Sequence, residues 1–97
     1  MKEIDVVLIE LHRLLTEAKD LDASDSLYAQ IQIQFVTANR LIKEIDDHVE
    51  MEKVRKEADE IAFLAWRVFT GEEFLKGRER LEEFLRLLDI RAKELKN

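Results

Sequence analysis

Ser26-Leu27-Tyr28-Ala29-Gln30-Ile31-Gln32-Ile33-Gln34-Phe35-Val36-Thr37-Ala38-Asn39 is the stretch on which the fold turns. From Ala29 to Phe35 apolar and polar residues alternate strictly. Period two is the pattern of a half-buried strand. No other segment offers a partner strand, and a lone strand leaves its backbone donors and acceptors unmet. A strand here would have to pair with a second copy of the chain across an exposed edge. The alternative is a helix. At 100° per residue Leu27, Ile31, Phe35, Ala38 and Ile42 form one stripe, and Ala29, Ile33 and Val36 form another. Gln32, Gln34 and Asn39 lie between them. The helix is the expectation.

The same stretch contains no charged residue, although 39% of the chain is Asp, Glu, Lys or Arg. A solvated segment of so charged a protein would carry Lys or Glu every few residues. The neutrality predicts burial on more than one side, in the bundle or against a partner, because a helix apolar on several faces is usually internal or at an interface. Glutamine suits an interface, where it hydrogen-bonds without the desolvation penalty of a charge. Two readings follow. Either the second helix is the most enclosed of the bundle, or it serves self-association or partner binding through Tyr28, Gln32, Ile33 and Val36.

Outward from this stretch, three further blocks have helical spacing. The first is Ile4, Val7, Leu8, Leu11, Leu14, Leu15 and Ala18; the third is Met51, Val54, Ala58, Ile61, Ala62, Ala65, Val68 and Phe69; the fourth is Phe74, Gly77, Leu81, Leu85, Leu88 and Leu95. Asp22 or Ser24 can cap the second helix. Near Asp46-Asp47 the apolar stripe changes phase, and Asp47-His48-Val49-Glu50 has the spacing of a capping box. A helix continuous through this point is the alternative. At Thr70-Gly71-Glu72-Glu73, Gly71 can end a helix in the left-handed conformation, and Thr70 with Glu73 can cap the next. Gly77 on an apolar face predicts a close helix or a large neighbour such as Trp66, or else a short turn. Short links favour antiparallel neighbours. The expected fold is therefore all-α, an up-down-up-down four-helix bundle with helices near 2–19, 24–45, 48–69 and 72–95, in a single domain over 1–97.

Composition narrows the rest. The 97 residues include no cysteine, no proline and two glycines, which removes disulfides and thiol chemistry and favours few turns. A net charge of −6, with basic and acidic residues interleaved, argues against nucleic acid as a partner. No apolar run reaches the roughly 20 residues of a membrane span. The N-terminus lacks the pattern of a targeting signal, so a soluble protein, cytoplasmic or recombinant, is expected.

Residues that could carry chemistry are sparse. His12 has Leu8, Ile9, Leu15 and Thr16 one turn away, so the Glu-x-x-His motif of di-iron bundles is absent. His48 has Glu44 one turn earlier and no further ligand. The pairs Asp46-Asp47, Glu72-Glu73 and Glu82-Glu83 fall where caps and solvated faces belong, and adjacent acids on a helix diverge. Phosphate loops and Ser-His-Asp sets are missing. Phe63, Trp66, Phe69, Phe74 and Phe84 read as core fillers or interface anchors rather than a cofactor pocket. No catalytic, metal or cofactor residue is assigned, and no small-molecule cavity is expected.

Terse links and the last helix, Glu79-Arg80-Leu81-Glu82-Glu83-Phe84-Leu85-Arg86-Leu87-Leu88, give the chain a style that resembles de novo designed helical bundles. The glutamine-rich second helix and the two histidines depart from that style. The resemblance implies a structural bundle without catalytic activity, or a built binder. The size and helical layout also resemble small bacteriocin immunity proteins, which bind a partner. Glu52-Lys53-Val54-Arg55-Lys56 is similar to the receptor-binding stretch of the first helix of granulocyte colony-stimulating factor, which would turn Glu52, Arg55 and Lys56 toward a receptor. The expected function is a structural helical bundle without activity. Its alternative is a protein-binding module, with itself (as a homodimer) or another protein as partner, using the uncharged helix.

Overall fold

A computed structural model describes residues 1–21 and 24–96. Among them are four α-helices, α1 (Glu3–Leu21), α2 (Asp25–Ile42), α3 (His48–Val68) and α4 (Leu75–Lys96), with a 3-10 turn at Glu72–Phe74 leading into α4. No described residue is in a strand, and Ala29 to Phe35 lie within α2. The period-two pattern is thus a helix with two apolar sides, one packed and one in water.

The helix starts follow the polar chemistry of the sequence. The Ser24 hydroxyl accepts a hydrogen bond from the Leu27 N–H at 3.1 Å, satisfying one of the free amides of the first turn. Asp22, the other expected cap, lies outside the described residues. Asp47 Oδ1 accepts from the Val49 N–H at 3.2 Å and starts α3, so α2 and α3 are separate helices. The reciprocal half of that capping box does not form: Glu50 instead accepts from Lys2 Nζ, 2.6 Å away just ahead of α1.

The end of α3 corrects an expectation. Gly71 is extended, with φ −100° and ψ 170°, and does not use the left-handed region. The helix ends at Phe69, with φ −89° and ψ 60°. Arg78 Nη1 donates to the carbonyls of Phe69 at 2.7 Å and Gly71 at 2.8 Å. A guanidinium from α4 therefore meets carbonyls that a glycine cap would otherwise turn toward backbone donors. Gly71 rather than Thr70 is the N-cap of the 3-10 turn, and it has no side-chain cap.

In packing, α1 touches α2 and α3, and α4 touches α2 and α3. These contacts are consistent with a bundle. The backbones of the successive helices α2 and α3 do not approach one another among the described residues, and the two stand on a diagonal, as do α1 and α4. The expectation that chain neighbours are spatial neighbours therefore fails for α2 and α3. Axes 8–10 Å apart give a diagonal of roughly 11–14 Å. The 43–47 link can span that, since extended chain reaches roughly 3.3 Å per residue. Ile45 in this link is buried, and its carbonyl accepts from Arg91 Nε of α4 at 2.6 Å.

The core fills the space between the four helices. Leu11, Leu15, Ile31, Phe35, Ile42, Val54, Leu81 and Phe84 are fully enclosed. At one end an aromatic group forms: Tyr28 meets Phe74 edge-on at 5.2 Å and Phe69 at 5.9 Å, and Phe35 meets Phe84 at 5.4 Å. Such edge-to-face pairs add about 1 kcal/mol beyond their buried area. Gly77 sits inside this group. A Cβ there would lie 2.9 Å from both Phe69 and Tyr28, so the large neighbours it admits are these two rings. Trp66, the expected neighbour, is 43% exposed on the outside of α3.

Candidate functional site

The inner stripe of α2 is as expected. Leu27, Ile31, Phe35, Ala38 and Ile42 are all buried, with Ile31 and Phe35 at 0% exposure. The outer stripe is not enclosed. Ala29 is exposed, Ile33 is 62% exposed and Val36 48% exposed. Burial by the rest of the chain therefore accounts for the inner side of the charge-free segment and leaves its outer side in water. The reading of α2 as the helix enclosed on more than one side is corrected on this point. A four-helix bundle takes up only one face of each helix, and α2 has neighbours only in α1 and α4.

The four residues expected to form an interface do not share one environment. Ile33 and Val36 lie together on the outer stripe, with Gln32 half-buried at its edge. Tyr28 turns inward. Its ring packs on Phe69 and Phe74, and its hydroxyl accepts a hydrogen bond from the Gly77 N–H at 2.8 Å, meeting a free amide in the first turn of α4. Tyr28 thus ties α2 to α4. Sequence reasoning placed Ala29 on this stripe but missed Asp25 and Arg40, both exposed, which complete it. The signal was present in their spacing from Ile33 and Val36.

Locally, the outer stripe remains regular helix. Thr37 Oγ1 donates to the Ile33 carbonyl at 3.1 Å, a bond that returns the hydroxyl to its own helix. Asn39 is the one buried polar residue among those described, and its Oδ1 has no partner there. It lies on the same flank of α2 as Tyr28, away from the outer stripe.

A second exposed apolar area lies in the groove between α1 and α3. Ile9, His12 and Thr16 face Glu60, Phe63 and Leu64 across it. Ile9 is 56% and Phe63 61% exposed, and the Arg67 guanidinium stands 5.1 Å above the Phe63 ring. The folded chain supplies His12 with an acid that its own helix does not place one turn away: Glu60 Oε2 is 3.7 Å from His12 Nε2, with both side chains largely in solvent. Phe63 and Trp66 are surface residues, so of the two roles expected for them, core filler or interface anchor, the first is excluded.

The titratable groups that are shifted are all surface ion pairs. The Arg13 hydrogen bond holds the Glu10 carboxyl below its usual range, the Lys93 hydrogen bond does the same for Asp89, and Glu50 raises the Lys2 ammonium. They lie apart and form no cleft with two carboxylates in contrasting environments. No group of three His, Cys, Asp or Glu side chains among the described residues could hold a metal ion. No described helix is long and apolar enough to cross a membrane.

No family model matches this chain, and it has no match among curated proteins or solved structures.

Proposed function

We propose that this chain is a non-catalytic helical bundle that binds protein through the outer face of α2. One observation carries the reading: the charge-free helix leaves Ile33 and Val36 in water although 39% of the chain is charged. Large apolar side chains scattered singly on a surface need no explanation. Here they share a face with Ala29, and from Ser26 to Asn39 no charge interrupts it. Charge-depleted patches with apolar centres are the composition of interface cores.

The helices of this bundle alternate in direction along the chain, up, down, up, down, so that around the ring α1, α2, α4, α3 they run up, down, down, up. The ion pairs Lys2–Glu50, Lys53–Asp5 and His12–Glu60 support α1 and α3 as parallel neighbours, since both partners advance together. Tyr28 with Gly77 and Ile45 with Arg91 support the same for α2 and α4. Arg40 with Glu3 supports α1 and α2 as antiparallel.

A purely structural bundle of designed style is the second reading. Its support is α4, where Leu81, Phe84, Leu88 and Ala92 are buried on one face and charged residues fill most of the other. Light scattering with and without candidate partners separates the two. The binding reading expects association, with another protein or with itself, that Ile33→Glu and Val36→Glu abolish while circular dichroism is unchanged. Association that survives both substitutions would overturn it.

A further inference from the structure

The outer stripe of α2 carries its own complement. Asp25, Ala29, Ile33, Val36 and Arg40 are all exposed and follow one another at steps of four, four, three and four residues. At 100° per residue these positions stay within one narrow band, with the spacing of a helix–helix seam. The band is acidic at its start, apolar at its centre and basic at its end. Turned end for end, it sets Asp25 against Arg40 and small Ala29 against larger Val36. Both pairings share a midpoint between Gln32 and Ile33. A single two-fold axis therefore satisfies both, and it brings Ile33 of one copy beside Ile33 of the other. A parallel pairing would instead set Asp25 on Asp25 and Arg40 on Arg40.

We infer that the partner of this face is a second copy of the chain, docked antiparallel along α2 about that axis. The inference rests on the reading that the α2 face binds protein. Net charge opposes self-association in general and so restricts where two copies can meet. At −6, two copies meeting through most surfaces bring like charges together, and the outer side of α2 is where that repulsion is least. Because α2 and α3 stand on a diagonal, α2 forms a corner of the bundle, and α1 and α4 fall away on either side of the stripe. Arg40 lies 3.5 Å from Glu3 and 3.9 Å from Glu44 in its own chain; these are long, exposed pairs that leave the guanidinium fork able to take a further carboxylate. The stripe is about 22 Å long at 1.5 Å per residue and one helix wide. That is below the roughly 800 Å² per partner of a standard interface, so the dimer is transient and exchanges with the monomer.

Sedimentation equilibrium over a range of concentrations tests the inference, with circular dichroism confirming that each variant folds. The wild-type mass is expected to rise toward that of two chains. Asp25→Arg alone and Arg40→Asp alone each turn attraction into repulsion twice per dimer and weaken association by about ten-fold. The two together restore it to near the wild-type level, because the pair is only reversed. Cysteine substitutions add a geometric readout, since the chain has no cysteine of its own. Under oxidation Ile33→Cys links to itself, and Ala29→Cys links to Val36→Cys in preference to another Ala29→Cys. A single-chain mass at millimolar concentration overturns self-pairing; if Ile33→Glu still abolishes binding of another protein, the α2 binding face itself stands. Self-association that Ile33→Glu leaves intact overturns both. Self-association that Ile33→Glu disrupts and the double swap does not restore overturns the antiparallel register.

Discussion

The inner and outer sides of α2 are built from the same kinds of residue and have opposite fates. Ile31 and Phe35 are sealed between helices, while Ile33, two residues from each, is 62% exposed. Half a turn of helix separates them. Missing charge alone therefore does not report burial in this chain. On the inner side it reflects the core; on the outer side it marks surface left free of charge. The two sides should respond to the same insult in different ways.

The largest contrast is expected from a carboxylate on the inner side. Ile31→Asp buries an unpaired charge where the native side chain is fully enclosed, and should destabilise the fold by several kcal/mol. Chemical denaturation measures this, and a loss below about 1 kcal/mol would break the assignment of the inner stripe. Next is Gly77→Ala at the junction of α2 with α4. Alanine gains about 1 kcal/mol in helix propensity, but its Cβ would press on two packed rings, and overpacking costs about 1–3 kcal/mol. The rings are held by each other and by the Tyr28 hydrogen bond, so overpacking should win and the melting temperature should fall. A rise would mean that the aromatic group yields easily. Tyr28→Phe keeps the ring and removes the acceptor for the Gly77 N–H, with an expected loss of about 1 kcal/mol. No loss would place Tyr28 with the outer side in its energetics. The smallest effect on stability belongs to Ile33→Glu, expected within about 0.5 kcal/mol because the site is in water. A large loss there would erase the distinction between the two sides.

Much of the fold was legible in the sequence. The four apolar blocks became four helices, and Ser24 and the acids at 46–47 marked boundaries because capping is a local matter of one side chain and nearby amides. The end of α3 was not legible, since it depends on Arg78 reaching back to the carbonyls of Phe69 and Gly71. Of the residues expected at an interface, Ile33 and Val36 were readable as a second stripe. Tyr28 was misplaced because its partner, the Gly77 amide, is 49 residues away. The core-filler reading of Phe63 and Trp66 failed because residue type favours burial on average, and the inner face of α3 was already filled by smaller residues such as Ala58, Ile61 and Ala65.

By itself the sequence determined that this chain is helical, where its first three helices begin, and which stripe of each turns inward, because period, capping and phase are properties of neighbours along the chain. Only the tertiary structure decided that α2 stands opposite α3, and that the second apolar side of α2 is left in water. The physical reason is that a stripe records what a helix can bury, whereas exposure depends on which helices arrive to cover it, and α2 has one on each flank and none on its back.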